Sequence, residues 1–468
     1  MITALDSSVI DANCEAMGIG IPILMENAGK AIVSVLSERF PGKRIAFVCG
    51  GGNNGGDGIT AAGMMDAGLV AVYLLMPIDS VRSDLVRKTL SGLKCQIRDF
   101  LVFEEDRYDV IVDCALGTGI SGAVRPPYDE FIRTANGFKG CVVSVDVPSG
   151  LGTPLAVKPG MTITFHDVKE GMNRDNSGEI IVKDIGIPDE AYDNVGPGDM
   201  LRYPIPPKTS HKGSNGRLLI IGGGPYYGAP AMSALAAMRV GADIVRLAVP
   251  ENCSSIIAGF SPVLMIDSLP GDSLGTEHLE HLLALSKNHD AVLIGPGLGT
   301  SDRTTEAVRR FVKQCAVPTV IDADGLNALG DDFVSSGKTI LTPHYREFIR
   351  LGGDRYSASA TLPVIRLAES TGSVVLLKGH TDRISDGKRI RANHTGCAGM
   401  TGAGTGDVLA GIVAGLLSKG MTCFDAAALG AFISGKAGEC AFDERSYGMI
   451  ATDVIEAIPK VLKEYLRG

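Results

Sequence analysis

The feature that most restricts what this chain can fold into is a rhythm that runs twice. Short β-rich runs alternate with segments long enough for helices: RIAFVCG, VAVYLLM, DVIVDCAL and CVVSVDV in the first half, then RLLIIGGG, IVRLAVP, AVLIGPG, PTVIDAD, TILTPH and VVLLKG in the second. Strands joined through helices lie parallel, because a parallel neighbour needs a long crossover, so each half predicts a parallel sheet covered by helices on both faces. Between the halves, Asp193 to Gly216 lapses into proline, glycine and polar residues, the composition of a linker. The expected organisation is therefore two three-layer α/β/α domains, residues 1–205 and 210–468. The last third reads as helical, from Gly406 to Ser418, through FDAAALGAFISGKAGECAF, and along the terminal ATDVIEAIPKVLKEYLR.

Charge and cysteine usage narrow the partners. A net charge of -9 disfavours a nucleic-acid surface, which needs a concentrated basic face, and leaves small molecules as the expected partners. The 10 cysteines form no CxxC pair, which suits free thiols in a reducing compartment and argues against a structural zinc site. The N-terminus does not resemble a signal peptide, and no window of about 18 residues is apolar without a charge or glycine cluster, so neither export nor a membrane span is expected. A cytoplasmic protein follows, and a homo-oligomer is expected.

The 60 glycines exceed the roughly 33 that a usage of about 7% would supply, and they cluster at strand ends. The first cluster, CGGGNNGGDG (Cys49 to Gly58), follows the strand RIAFV and precedes the helix-like ITAAGMMDAG. Glycines there let the chain turn sharply and present backbone N–H groups at a helix N-terminus, where an anion is favoured. Two further strand ends carry polar groups: Asp113 beside the loop Gly117 to Ala123, and Asp146 with Ser149 in SVDVPSG. Open parallel sheets bind ligands outside the carboxyl ends of their strands, so these three ends describe one pocket.

The set MENAG, GGGNNGGDG, DCALGTG and SVDVPSG closely resembles the NAD(P)H-hydrate epimerase domain, a Rossmann-like fold, over residues 1–205. The resemblance implies a potassium ion held by Asn54, Asp113 and Ser149. It places the hydrated nucleotide against Asn53, Asn54, Gly55, Gly56 and Asp57, and against Gly117, Thr118, Gly119, Ile120, Ser121, Gly122 and Ala123, with Asp146 as the acid–base residue. Lys169 lies in TFHDVKEGM, a segment that departs from the family's proline-containing version.

The second chemical stretch is MTGAGTGDVLAG, Met400 to Gly411. A glycine-rich turn that opens an apolar helix offers N–H groups and the positive end of the helix dipole to a phosphate. Asp407 in the first turn is then placed to take a proton from a substrate hydroxyl. No Lys-Ser or Lys-Thr pair follows the glycines, so this is not a Walker A loop. The stretch resembles the anion hole of the ribokinase-like superfamily. Six motifs occur in the order of the ADP-dependent NAD(P)H-hydrate dehydratase: HKGSNGRLLIIGGGPYYGAPAMSALAAMRVGAD, GPGLGT, DADGLNAL, TPHYREF, LKGHTDRI and GAGTGDVLAG.

That resemblance implies that Ala229, Gly297, His344 and Asp407 contact the hydrated nucleotide. It implies that Lys378, Gly379, His380, Thr381, Asp382 and Gly406 line ADP, with Mg2+ neutralising charge on it. Asp322 and Asp324 either orient magnesium or substrate or cap the next helix. In the family's chemistry one half interconverts the R and S forms of hydrated NADH and NADPH, and the other dehydrates the S form at the expense of ADP, giving AMP and phosphate. The competing readings are a ribokinase-like small-molecule kinase with an N-terminal nucleotide-binding module, and a first half that serves only as a scaffold.

Overall fold

The computed structural model describes residues 1–466 apart from 82–83, 120–121, 336 and 356–359. The chain divides into two compact units, Met1–Ala191 and Tyr192–Gly468. The division precedes the expected boundary near residue 205 because the start of the linker-like stretch is tied into the second unit. There the Val195 N–H donates to the Ala392 carbonyl at 2.8 Å, and Arg391 donates from Nη2 to Asp199, which is almost wholly buried, at 2.9 Å. Linker composition thus describes only part of that stretch.

The first unit holds β1 (Ile45–Cys49), β2 (Val70–Leu74), β3 (Gln96–Asp99), β4 (Val110–Cys114), β5 (Cys141–Val145), β6 (Met161–Phe165) and β7 (Glu179–Lys183). They form one sheet in the order β3-β2-β1-β4-β5-β6-β7, every pair parallel. Alternation along β1 sends Ile45, Phe47 and Cys49 to one hydrophobic core and Ala46 and Val48 to the other, as a sheet covered on both faces requires. Four of these strands are the ones expected from sequence. The edge strands β3 and β7 are partly exposed, β3 being polar and β7 a short Ile-Ile-Val run between charges, and the threonines of β6, buried throughout, blur its apolar run.

The helix after β1 begins at Asn53 and ends at Gly63, earlier than ITAAGMMDAG suggested. The glycine cluster is itself the first turns of this helix. A Cβ on Gly55 would collide with the Gly50 carbonyl, so the helix start can fold back against the strand end only with glycine there. Since chain order reverses between β1 and β4, the loops after these two strands flank a crevice.

The second unit holds β8 (Arg217–Ile221), β9 (Ile244–Pro250), β10 (Met265–Leu269), β11 (Ala291–Ile294), β12 (Thr319–Ile321), β13 (Thr339–Leu341), β14 (Val374–Leu377), β15 (Asp382–Ser385) and β16 (Ile390–Asn393). The sheet order is β10-β9-β8-β11-β12-β13-β14-β15-β16. It is parallel as far as β14, but β15 and β16 add antiparallel to it. The hairpin extends the expected parallel sheet with strands the sequence reading did not find: the polar DRIS and IRAN carry no apolar-run signal. The helices Thr405–Ser418, Cys423–Arg445 and Ala451–Tyr465 match the helical last third. Thr405–Ser418 is buried at every position from Val408 onward, so it is a core helix rather than an amphipathic surface one. No single helix among the described residues is long and apolar enough to cross a membrane.

Candidate active sites

In the first unit a cavity of about 800 Å³ opens at the carboxyl ends of the strands. Asn53, Asn54, Gly55 and Asp57 line it from one side of the crevice, and Gly117, Thr118 and Gly119 from the other. Gly56, Gly122 and Ala123 do not line it, and Ile120 and Ser121 lie outside the described residues.

Beneath the cavity floor, Asp113 is fully buried at the end of β4. One of its oxygens accepts from the Ser149 hydroxyl at 2.5 Å and the Ala115 N–H at 3.2 Å. The other accepts from the Ser144 hydroxyl at 2.8 Å and the Ser149 N–H at 2.9 Å. Burial pushes its pKa up, and these hydrogen bonds oppose the shift. The Ser149 hydroxyl also lies 3.3 Å from the Leu116 carbonyl, to which the Asn54 amide donates at 3.1 Å. Asn54 and Ser149 therefore converge on one carbonyl, with Asp113 hydrogen-bonded to Ser149 behind it, and the buried Oδ1 of Asn54 has no hydrogen-bond partner among the described residues. An orphaned amide oxygen beside a carbonyl, a hydroxyl and a carboxyl is a donor set that suits a hard cation.

Asp146 follows β5 with φ 62°, a conformation uncommon outside glycine. Its carboxylate meets the buried Lys169 ammonium at 2.8 Å. Lys169 also donates to the Phe165 carbonyl at 2.7 Å and the Thr164 hydroxyl at 3.1 Å, so Asp146 is pinned by a group that is itself fixed. Sequence reading did not connect these two, because the pairing spans two strand ends. It also passed over Asp11, which lines the cavity from the helix Ala4–Ala16. The Asp11 carboxyl is pushed up to about 6 by desolvation and by Asp146, with Lys169 opposing. Burial and the neighbouring Asp146 and Asp11 likewise raise Asp57 well above the usual carboxyl range. The cavity thus gathers three carboxyl groups about one lysine, an arrangement suited to moving protons at neutral pH.

In the second unit chain order reverses between β8 and β11, the position at which such a sheet binds ligands. Gly297, with φ 71°, is pressed so closely against Tyr226 that a Cβ would collide with the Tyr226 carbonyl. Ala229 lies in the first turn of the neighbouring helix Gly228–Arg239. His344 caps the helix Tyr345–Arg350: its Nδ1 accepts from the Glu347 N–H at 3.2 Å, and its side chain is 53% exposed, open to a ligand.

Asp407 sits in the first turn of Thr405–Ser418, after Gly404 in the left-handed region. Its pKa is pushed up to about 7 by burial first and then by Asp322 and Asp324, with Lys378 pulling the other way. Lys378, at the end of β14, donates to the buried Asp322 at 2.9 Å, and Asp322 also accepts from the Thr342 hydroxyl at 2.8 Å. Burial pulls the Lys378 ammonium down, but Asp322, Glu347 and Asp407 outweigh it and leave its pKa raised. Lys378 is thus a half-buried cation amid carboxylates rather than a solvated strand-end charge. Gly406 lies against its Nζ, since a Cβ there would stand 3.6 Å away.

Gly379, His380 and Thr381 form the turn between β14 and β15. Its base is closed by Asp382, which accepts from the Gly379 N–H at 3.1 Å and the Asn393 amide at 3.0 Å. Asp324 accepts from the Gly299 N–H at 2.8 Å, tying down the GPGLGT loop. The two aspartates left open by the sequence therefore differ: Asp322 pairs with Lys378, and Asp324 holds a loop. No group of three or more His, Cys, Asp or Glu side chains among the described residues is arranged to hold a metal ion.

Two family models match the chain, one described as NAD(P)H-hydrate dehydratase over residues 218–460 and one as YjeF-related protein N-terminus over residues 22–171. A bifunctional NAD(P)H-hydrate repair enzyme from Archaeoglobus fulgidus is 39% identical over 477 residues, covering 98% of both chains. Another from Methanothermobacter thermautotrophicus is 39% identical over 493 residues, covering 98% of this chain and 94% of that one. Among solved structures, a ribokinase-like superfamily protein from Enterococcus faecalis aligns with TM-score 0.53 and 25% identity, over 58% of this chain and 95% of its own. An ADP/ATP-dependent NAD(P)H-hydrate dehydratase from Bacillus subtilis, co-crystallised with ATP and Mg2+, shares the fold with TM-score 0.51 at 24% identity, over 58% of this chain and 98% of its own.

Proposed function

Because the chain belongs to the family of bifunctional NAD(P)H-hydrate repair enzymes, we propose a division of that repair between its two units, with a named residue acting in each. The N-terminal unit carries the epimerase and the C-terminal unit the dehydratase. Hydration of a reduced nicotinamide leaves a hydroxyl on the ring in either of two configurations. A chain that interconverts them and dehydrates one recovers both.

In the epimerase cavity, Asp146 handles the proton of the reacting hydroxyl, positioned by Lys169. Asn53, Asn54 and the Gly117–Gly119 loop hold the nucleotide's phosphates. Asn54 Oδ1, the Leu116 carbonyl, the Ser149 hydroxyl and Asp113 would hold potassium, whose positive charge would steady the phosphate-side loops.

In the dehydratase site, Asp407 takes the proton of the substrate hydroxyl as its oxygen attacks the terminal phosphorus of ADP, and the bond from that phosphorus to AMP breaks. Phosphate then leaves with the C–O electron pair, and loss of a proton from the adjacent ring carbon restores the double bond. Gly406 and the N-terminus of Thr405–Ser418 receive the phosphate oxygens, and Lys378 holds a positive charge beside them. Magnesium, when bound, would neutralise charge on the nucleotide. Without a three-carboxylate cage it would be carried chiefly by the phosphates, as is usual for this ion.

The observation that carries this reading is Asp407: a carboxyl at a glycine-opened helix start with its pKa brought to about 7, where a general base is most effective. The test follows the near-ultraviolet absorbance of reduced nicotinamide after mixing both NADH-hydrate epimers with the protein, ADP, Mg2+ and K+. Recovery in full is expected for the natural sequence, slow recovery of half the substrate for Asp146→Ala, and none for Asp407→Ala. Phosphorylated product without recovered absorbance would instead favour the small-molecule kinase.

A further inference from the structure

Two neighbouring strands of the first unit end in the same strained turn. After β5, the Val147 N–H donates to the Val145 carbonyl at 2.8 Å across Asp146, whose φ is 62°. After β6, the Asp167 N–H donates to the Phe165 carbonyl at 2.7 Å across His166, whose φ is 65°. A hydrogen bond between residues i and i+2 around a positive φ is the rarer, strained form of γ-turn. In both cases the central residue is stitched to the next strand, Asp146 N–H to the Ile163 carbonyl at 2.7 Å and His166 N–H to the Lys183 carbonyl at 3.0 Å. Both central side chains line the same cavity.

Strain of this kind persists only where surrounding structure imposes it, and glycine would relieve it. One of the two turns presents the acid–base residue Asp146. From the repetition of the turn one strand along, we infer that His166 is a second substrate-contacting residue of the epimerase, meeting the hydroxyl of the hydrated ring. This inference rests on the epimerase reading of the cavity.

Inversion breaks the C–O bond as its oxygen gains a proton and leaves as water, with the ring nitrogen's lone pair supplying electrons to carbon. Water then adds to the opposite face and gives up a proton. The departing and re-adding water needs hydrogen-bond partners besides Asp146. Burial and Lys169 lower the His166 pKa below 6.5, opposed by Asp167, Asp184 and Asp189, and Asp167 is itself paired with the Met1 ammonium. A neutral imidazole carries one donor and one acceptor, as a water molecule in transit requires.

The test uses the full chain with His166→Gly and His166→Asn. With both epimers, ADP, Mg2+ and K+, absorbance recovers in a fast phase from the S form and a slow phase limited by epimerisation. For His166→Gly the expected result is an unchanged fast phase, a melting temperature no lower than that of the natural sequence, and a slow phase reduced roughly tenfold, the scale of one lost substrate hydrogen bond. His166→Asn, which tolerates the positive φ and keeps a donor and an acceptor, should recover part of that rate. An unchanged slow phase in His166→Gly overturns the inference, as does a slowed phase accompanied by a lowered melting temperature. Absence of a slow phase in the natural sequence overturns the epimerase reading itself.

Discussion

Replacing Asp407 by asparagine should abolish dehydration and stabilise the protein, with a pH dependence set by the carboxyl. Moving that carboxyl from 3.8 to about 7 makes its ionised form about 4 kcal/mol less favourable in the folded chain than in the unfolded one. Asp407 is partly exposed, so solvent screening reduces the effect to about 2 kcal/mol. The sign follows from a folded pKa raised above the unfolded value. Below about pH 3 the group is protonated in both states and costs nothing. As pH rises toward about 7, the unfolded chain ionises freely while the folded chain resists, and stability is lost. Asparagine has the same shape and does not titrate, so its advantage over aspartate should be near zero at about pH 3 and reach about 2 kcal/mol at about pH 8. The chain contains no tryptophan, so urea unfolding is best followed by far-ultraviolet circular dichroism, in both variants at both pH values. An advantage that is absent at high pH, or equal at the two, would refute the claim that the fold holds this carboxyl back from ionising.

Asp322→Asn should cost about 1–3 kcal/mol in the same unfolding experiment, because the half-buried Lys378 ammonium loses its hydrogen-bonded carboxylate; adding Lys378→Met should return much of that loss. Lys169→Met should slow epimerisation while leaving dehydration of the pure S epimer intact, since it frees Asp146 only in the first unit; equal rates with mixed epimers would contradict the pairing. Gly297→Ala should lower both the melting temperature and dehydratase activity, because the added methyl meets the Tyr226 carbonyl at a positive φ. Exchanging potassium for tetramethylammonium should reduce the epimerisation phase alone, and should not further slow Asn54→Ala.

Apolar runs ending in glycine and aspartate announced both sheets, and the strand-end placement of Asp113 and Asp146 followed from them, while the glycine-rich turn before an apolar run placed Asp407 at a helix start. This works because a buried parallel strand has to be apolar along its whole length, while a ligand loop at its end has to contain residues that turn and bind. Where burial is partial the signal fades, and so β3, β7 and the β15–β16 hairpin escaped notice. The glycine cluster after β1 was legible as a loop but not as helix, since its helical conformation depends on Gly55 meeting Gly50.

What the sequence by itself determined, then, is the list of chemical groups and the strand ends that carry them. Tertiary structure alone decided which of them meet. Lys169 against Asp146 and Lys378 against Asp322 join residues from different strand ends; no local pattern encodes such pairs, because they form only when β5 lies beside β6 and when the ends of β12 and β14 approach. The pKa of Asp407 belongs to the same class. The glycine-rich turn marks Asp407 as a carboxyl beside an anion site, and only packing, which removes water and brings Asp322 near, pushes its pKa up to about 7.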